Sequence, residues 1–210
     1  MTKRTCGDCQ LCCRLLPMVG GEKQQRKSLY AAEAMIDAGL AGPTDFFGMV
    51  AEFDKPAGER CPTQKHGKGC AIYKKRPFCC RAWTCRWLMG QDTEGLQRPD
   101  RTHYVIDVMP DYITAVDNET GVKTHVPVLQ IWVDPRFPDA HRDPHLRAYL
   151  AKRGEEEGMA AIIRYDASEG FVLFPPALAA DGEWHEQTGE TVPQEGRMPM
   201  PVKMTWEATR

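Results

Sequence analysis

Long apolar segments are missing from this sequence. No apolar run approaches the ~20 residues that a helix needs to cross a bilayer, and Met1–Thr5 contain no apolar core of a secretory signal. An apolar content of 42% and a mean hydropathy of −0.49 are typical of a soluble protein. We therefore predict a cytoplasmic protein that does not interact with a membrane.

Cysteine is missing after residue 85, although the first 85 residues contain all nine. Proteins of the reducing cytosol do not normally keep a disulfide framework, and an odd number of cysteines cannot pair completely. Buried structural cysteines also have no reason to cluster at short spacings. The pattern therefore predicts metal binding, and we expect sulfur-bound metal, rather than an apolar core, to hold this half of the chain together.

Motifs of the common enzyme classes are missing too. The sequence contains no P-loop, no G-x-G-x-x-G, no paired carboxylates and no Ser/His/Asp set. The sequence therefore leaves an enzymatic role open. If Cys79 is not a ligand, the nearby Lys75 and Arg76 would favour its reactive thiolate form.

Acidic residues are missing between Arg60 and Arg86, and the charge is divided unevenly along the chain. Residues 1–86 contain 15 Lys and Arg against 8 Asp and Glu, whereas residues 87–210 contain 12 against 21. The basic stretch either stabilises an anionic metal centre, forms a solvated face, or contacts a nucleic acid, with Tyr73, Trp83 and Trp87 stacking on bases. The acidic half is a candidate surface for a protein partner.

Three of the cysteines follow the spacing C-x2-C-x2-C, at Cys6, Cys9 and Cys12. This spacing lets one loop direct three sulfurs at a common centre, and Gly7 and Asp8 predict the turn that the loop needs. Thiolates are soft ligands that suit zinc, copper(I) and iron–sulfur clusters. In an extended backbone the next residue, Cys13, points to the opposite side, which leaves it available to a second site.

The predicted fold class is α+β. A small metal-held cysteine-rich lobe with two helices (the amino-terminal lobe, residues 1–90) precedes a mixed α/β lobe of short antiparallel strands and one helix (the second lobe, residues 91–178). Residues 179–210 are predicted to be a Pro/Gly-rich tail, either disordered or lying along the surface. The predicted helices of the amino-terminal lobe cover residues 22–38 and 77–89.

In the second lobe, alternating apolar residues predict the strands, and Asp143-Pro144 predicts a helix that ends between residues 153 and 157. The predicted strands cover residues 103–109, 112–116, 122–126, 128–133, 160–165 and 170–174.

Two motifs in this order resemble the CxxCxxCC, or YkgJ-like, family of cysteine-cluster proteins, which is described as a putative zinc- or iron-chelating domain. The first is the run Cys6–Cys13, and the resemblance extends to about residue 88. The second, C-x-I-Y-x2-R-P-x2-C-R, is matched by Cys70, Ile72, Tyr73, Arg76, Pro77, Cys80 and Arg81. The resemblance implies eight metal- or cluster-binding cysteines, with Cys79 supernumerary: Cys6, Cys9, Cys12, Cys13, Cys61, Cys70, Cys80 and Cys85.

Eight thiolates suit either two four-cysteine sites or one larger cluster. The triad with a remote fourth cysteine is the ligand pattern of ferredoxin-type clusters, whereas zinc sites commonly use two C-x2-C-like pairs. The spacing therefore favours an iron–sulfur cluster of the four-iron type over Zn²⁺. The corresponding functions are electron transfer, cluster handling or redox sensing. The alternative is a zinc-stapled structural module that binds a protein or a nucleic acid.

Two further sites use histidine. His66 lies between Cys61 and Cys70 and either replaces a cysteine at zinc or is simply exposed. His141-Arg142-Asp143 resembles part of a two-histidine, one-carboxylate iron site, which would need His185 as well. Asp143 is, however, already explained as a helix cap.

Overall fold

The structure, a computed structural model, describes residues 4, 6–18, 55–77, 80, 83–90, 93, 95–107, 111–116, 120–166, 169–188, 191–192 and 203–207. Within these ranges the α-helices are α1 (Leu11–Leu15), α2 (Arg86–Met89), α3 (Pro99–Thr102) and α4 (Pro144–Glu157). Short 3₁₀ turns cover Tyr73–Lys75, Pro138–Arg142 and Pro176–Leu178. None of the helices in the described ranges is long and apolar enough to cross a membrane.

The strands of the described residues form a small hairpin and one large sheet. They are β1 (Gln64–Lys65), β2 (Gly69–Cys70), β3 (Tyr104–Ile106), β4 (Asp111–Val116), β5 (Lys123–Val133), β6 (Ala160–Arg164), β7 (Gly170–Phe174), β8 (His185–Gln187), β9 (Thr191–Val192) and β10 (Lys203–Glu207). Strands β1 and β2 pair with each other, and the large sheet has the order β8-β7-β6-β5-β4-β10-β9, with β3 paired to β5. The helices and this mixed sheet confirm the predicted α+β class.

Strand β5 is the centre of the large sheet. One of its edges pairs antiparallel with β4 and then with β3, and its other edge pairs in parallel with β6 from Val128 onward. The sequence predicted two separate strands over residues 122–126 and 128–133. The structure merges them, with Pro127 opposite Tyr112. A proline is tolerated there because the β6 pairing begins only after it.

Helix α4 connects β5 to β6 and covers one face of the sheet. Asp143 caps the helix by accepting a hydrogen bond from the His145 amide at 2.8 Å, and Gly158 ends it with a φ of 64°. The helix predicted from Asp143-Pro144 is therefore confirmed. The buried apolar residues of this core are Leu96, Tyr104, Ile106, Leu129, Ile131, Val133, Leu146, Tyr149, Leu150, Ala161, Ile163 and Leu173.

The opposite face of the sheet has two apolar parts. Ile113, Val128 and Ile162 belong to a second buried cluster, whereas Val105 and Trp132 pack against the cysteine-bearing segment. Because side chains alternate along a strand, Val105 and Trp132 point away from α4. The cysteine-bearing segment therefore lies on the face of the sheet opposite α4.

The predicted helix over residues 77–89 is wrong in its middle. Residues 83–85 are not helical, and α2 begins only after Cys85, whose φ and ψ of −67° and 152° are extended. The indole of Trp83 donates to Asp107 at 2.8 Å, and this contact joins the non-helical stretch to the residue after β3. The other predicted helix, over residues 22–38, lies outside the described residues.

One further local prediction was wrong. Cys12 and Cys13 lie on helix α1 and not in extended backbone. The region predicted as a tail contains strands: β8 pairs with β7, and β10 pairs in parallel with β4. Pairing with an existing sheet edge supplies backbone hydrogen bonds that the local Pro/Gly-rich composition does not reveal.

Candidate metal centre

The first cysteines are positioned by a tight turn and a short helix. The Cys9 amide donates to the Cys6 carbonyl at 2.9 Å, and Gly7 adopts a left-handed φ of 52°, a conformation that glycine tolerates without strain. The Cys6 thiol donates to the Cys9 carbonyl at 3.5 Å. Helix α1 then carries Cys12 and Cys13. The predicted turn at Gly7-Asp8 is confirmed.

The fourth cysteine of this group comes from a distant part of the chain. Cys85 caps helix α2, where its carbonyl accepts from the Leu88 amide at 3.0 Å. Its side chain is buried with Leu11, Leu15 and Trp132. One cavity is lined by Cys6, Cys9, Cys12 and Cys85, whose thiols are hereafter the cavity thiols, and by Trp87, Leu88 and Pro99.

Burial sets the protonation of the cavity thiols. Burial raises the pKa values of Cys6, Cys9 and Cys85 above the usual value of a thiol. The pKa of Cys12 is raised still further, first because its thiol donates a hydrogen bond to Cys13 and second because it is buried. The cavity thiols therefore stay protonated near neutral pH until a metal ion displaces the protons.

The donor atoms suit a soft metal, but their side-chain conformations are not those of a bound ion. Among the residues that the structure describes, no group of three or more Cys, His, Asp and Glu side chains is placed to hold one metal ion. A cysteine changes the direction of its sulfur by rotation about a single side-chain bond. Four cysteines on one cavity are therefore a donor set whose chemistry suits a thiolate-bound metal, and a bound ion would require such rotations.

The remaining described cysteines, Cys13, Cys61, Cys70 and Cys80, are hereafter the outer thiols. The hydroxyl of Thr63 lies 3.2 Å from the Cys61 sulfur and 3.8 Å from the Cys70 sulfur, so it bridges the two. The Cys80 thiol contacts the sulfur of Met18 at 3.4 Å. No disulfide joins the eight described cysteines, and each outer thiol is partly buried.

Cys13 differs from the other thiols because its anionic form is favoured. The hydrogen bond from Cys12 is the largest effect, and the cations Lys55 and Arg76 add to it, so the pKa of Cys13 falls to about 7 although burial opposes the change. A thiol with such a pKa is partly deprotonated at neutral pH and is therefore a ready ligand.

The structure adds Lys55, which belongs to no sequence motif. This side chain is only 5% exposed, and its ammonium donates to the carbonyls of Arg14, Pro56 and Glu59 at 3.1, 3.0 and 3.0 Å. Burial lowers the pKa of Lys55, while the nearby thiols of Cys61 and Cys13 oppose the change. Buried lysines are rare, but in the sequence Lys55 is one of many cations in a basic half, so no sequence signal marks it.

Part of the chain matches a known protein family. Residues 5–101 match the model of the CxxCxxCC family, described as a putative zinc- or iron-chelating domain. This segment belongs to the CxxCxxCC family. The match supports metal binding by the segment. No curated protein and no solved structure matches the chain.

The CxxCxxCC segment includes both thiol groups and extends to α3, whose first residue, Pro99, lines the cavity. Ion pairs, as well as apolar contacts, attach this segment to the sheet. Arg14 on α1 forms an ion pair with the buried Asp134, which also pairs with Arg136 at 3.0 Å. Asp134 tends towards a raised pKa through burial, but these arginines outweigh that effect and hold its pKa below the usual value.

The predicted sites that use histidine are not assembled among the described residues. His66 is exposed. The ring of His141 contacts the Pro138 carbonyl at 2.7 Å, and His185 pairs with Asp181 at 2.9 Å. Asp143 is the helix cap, so the alternative iron site is not assembled among the described residues.

The aromatic residues of the basic stretch of the CxxCxxCC segment are partly engaged within the protein. Trp83 and Trp87 pack against the cluster that joins the cysteines to the sheet, and the guanidinium of Arg76 lies 3.9 Å from the centre of the Tyr73 ring. Cys79, the supernumerary cysteine, lies outside the described residues.

Proposed function

We propose that this chain carries an iron–sulfur cluster of the four-iron type on its cavity thiols, and that all eight predicted cysteines are ligands. One observation carries the proposal. Cys6, Cys9 and Cys12 share a cavity with Cys85, which is remote in sequence. A C-x2-C-x2-C triad completed by a remote cysteine is the ligand pattern of such clusters.

The chain's own residues account for binding and shielding. Each cavity thiol must lose its proton to bind metal, and because burial raises the pKa values of these thiols, we expect binding to weaken as the pH falls. Trp87, Leu88 and Pro99 supply apolar walls that exclude water from the cavity. An iron–sulfur cluster exchanges single electrons when bound, so the proposed roles are electron transfer, cluster handling or redox sensing.

The outer thiols support a second site. Thr63 brings Cys61 and Cys70 together, and Lys55 interacts with both Cys61 and Cys13. We propose that Cys13, Cys61, Cys70 and Cys80 bind metal as a group distinct from the cavity thiols. We also propose a reducing, cytoplasmic location, because clustered cysteines in that compartment are typically metal ligands rather than disulfide partners.

The decisive experiment is metal and sulfide analysis of protein purified without air. We expect iron and acid-labile sulfide in near-equal amounts, with visible absorption from sulfur-to-iron charge transfer. Cys85→Ala should lose the iron of the cavity thiols. Cys79→Ala is the matched control, since the supernumerary cysteine is not proposed as a ligand. This variant should keep the full content of iron and sulfide. A colourless anaerobic preparation with stoichiometric zinc would refute the cluster.

The alternative function is a zinc-stapled module that binds a protein through the acidic second lobe or tail, or a nucleic acid through the basic stretch. The ion pair of Arg14 with Asp134 and the apolar contacts of Leu11 and Leu15 favour it. Four-thiolate zinc sites commonly fasten segments together in this way. Stoichiometric zinc without sulfide, and local unfolding on zinc removal, would support it. A nucleic-acid partner would show binding that falls steeply with salt.

A further inference from the structure

Lys55 is a buried cation at the junction of two cysteine-bearing segments. The first segment contains Cys13 on helix α1, and the second contains Cys61. Backbone hydrogen bonds in both directions, each of 2.7 Å, pair Met18 with Lys55. The Gly58 amide also donates to the Leu15 carbonyl at 3.0 Å. The backbone around Lys55 thus holds the two segments side by side.

The ammonium of Lys55 reinforces this junction. It donates to the carbonyl of Arg14 in the first segment and to those of Pro56 and Glu59 in the second. These acceptors are neutral carbonyl oxygens, so they satisfy the hydrogen-bonding capacity of the ammonium and leave its charge uncancelled. The Arg14 carbonyl belongs to the residue that follows Cys13, and the Glu59 carbonyl belongs to a residue two positions before Cys61.

We propose that Lys55 is a positioning residue for the outer thiols: it fastens the Cys61 segment to the helix that carries Cys13, and it supplies a fixed positive charge to the thiolates that bind metal. This role rests on the proposed function, because it concerns metal held by the outer thiols.

The physical reason is charge balance in a poorly solvated place. A buried ammonium is costly unless an opposite charge compensates it. Metal binding converts the thiols to thiolates, and a site with four thiolates around a divalent ion carries a net negative charge. The ammonium then gains an anionic neighbour, and the thiolates gain a cation that water cannot displace. Residues that support metal ligands in this way contribute about 10- to 100-fold to metal affinity.

The experiment compares three substitutions of Lys55 with a surface control. Lys55→Arg keeps the charge, Lys55→Gln keeps a hydrogen-bond donor without the charge, and Lys55→Met removes both. Lys65→Met is the control, because Lys65 is an exposed lysine of the same segment. The measurements are metal per chain after anaerobic loading, the rate of metal release to a chelator, and circular dichroism of the metal-free proteins. Each variant is also combined with Cys61→Ser.

We expect Lys55→Met and Lys55→Gln to release the metal of the outer thiols at least about tenfold faster than wild type. The cavity thiols should keep their metal, and Lys55→Arg should restore slow release. In the Cys61→Ser background the same substitutions should have little further effect, because coupled residues are not additive. If Lys55→Met does not fold, Lys55→Gln decides the question with the donor retained.

Three results would overturn the proposal, and they differ in what they leave standing. The role of Lys55 would be refuted if Lys55→Met and Lys55→Gln both released metal at the wild-type rate. It would also be refuted if these substitutions had the same effect in the Cys61→Ser background as in wild type. Either result would leave the proposed function intact. A wild-type chain that binds no metal would refute the proposed function, and the role of Lys55 with it.

Discussion

Single neighbouring side chains, rather than the cysteine motif itself, set the pKa values of the thiols of Cys12 and Cys13. Adjacent cysteines at positions 12 and 13 have opposite tendencies: the pKa of Cys12 is raised well above its usual value, while that of Cys13 falls to about 7. The difference comes from the hydrogen bond between them and from Lys55 and Arg76. Local sequence patterns predict neither effect. The hydrogen bond depends on side-chain conformation, and Lys55 is remote from Cys13 in the chain.

Thr63 should slow metal release from the outer thiols. Its hydroxyl contacts the sulfurs of both Cys61 and Cys70. Thr63→Val keeps the shape and removes the hydroxyl, which is worth about 0.5–1.5 kcal/mol as a hydrogen bond. We expect release to a chelator to become about 2- to 10-fold faster, since 1.4 kcal/mol corresponds to a factor of ten. Thr63→Ser, which keeps the hydroxyl, is the control, and equal rates for all three proteins would contradict the prediction.

Asp134 should stabilise the fold in a pH-dependent way. Its folded-state pKa lies below the usual value, so its contribution is present above about pH 4 and is lost as the pH falls through the folded-state pKa. Asp134→Asn should destabilise the protein by about 1–3 kcal/mol at pH 7, because it leaves the Arg14 and Arg136 pairs incomplete. Urea unfolding at pH 7 and at about pH 3 measures the difference, which should shrink at the lower pH.

The control for Asp134→Asn is Asp139→Asn. The Asp139 side chain is 77% exposed and pairs with Arg142 only at 3.6 Å, so its loss should change the free energy of unfolding by no more than about 0.5 kcal/mol. If Asp134→Asn lowers the free energy of unfolding by the same amount at both pH values, the charge of Asp134 is not the cause.

At the scale of elements, the helix over Pro144–Glu157 was predictable because its cap and first-turn proline are local signals. The short helices of the cysteine-bearing segment were not. Helix α1 covers only five residues, and isolated helices of that length have no stability of their own. Leu11 and Leu15 hold it in place by packing on the sheet. The interruption before α2 likewise depends on the contact between Trp83 and Asp107.

Gly154, inside helix α4, should resist substitution by alanine. In a helix interior, alanine normally stabilises the helix by about 1 kcal/mol relative to glycine. Here a Cβ would clash with the ring of Pro175, and such overpacking costs about 1–3 kcal/mol. We therefore expect Gly154→Ala to lower the midpoint of thermal unfolding. In a Pro175→Ala background the loss should be smaller, and a more stable Gly154→Ala protein would contradict the close contact.

At the scale of the whole molecule, the large sheet has cores that do not depend on the cysteines. The cluster under α4 and the cluster around Ile113 and Val128 contain none. We expected sulfur-bound metal, rather than an apolar core, to hold the amino-terminal lobe together. Apolar contacts contribute as well, because Leu11 and Leu15 are buried against Val105 and Trp132. Each such leucine contributes about 1.5–3 kcal/mol on burial. The division into lobes at residue 90 remains a prediction.

Metal removal should therefore loosen one part of the molecule. After chelation we expect faster hydrogen exchange in residues 6–18, 55–77 and 83–90, and little change in β5, β6 and α4, because stability is local and the cores of the sheet remain. Exchange measured by mass spectrometry on metal-loaded and metal-free protein checks this. The Cys79→Ala protein, treated in the same way, should behave like wild type. Global loss of protection in β5 would contradict an independent sheet.

The sequence by itself determined the metal-binding chemistry, the α+β class and the family of the cysteine-bearing segment. These depend on residue types at short spacings, on strand alternation and on helix caps, all of which are local. Only the tertiary structure decided which thiols share a cavity, that Lys55 is buried between the segments that carry Cys13 and Cys61, and that the cavity thiols lie on the face of the sheet opposite α4. Those properties arise from contacts between residues far apart in the chain, such as Arg14 with Asp134, and local sequence patterns do not encode them.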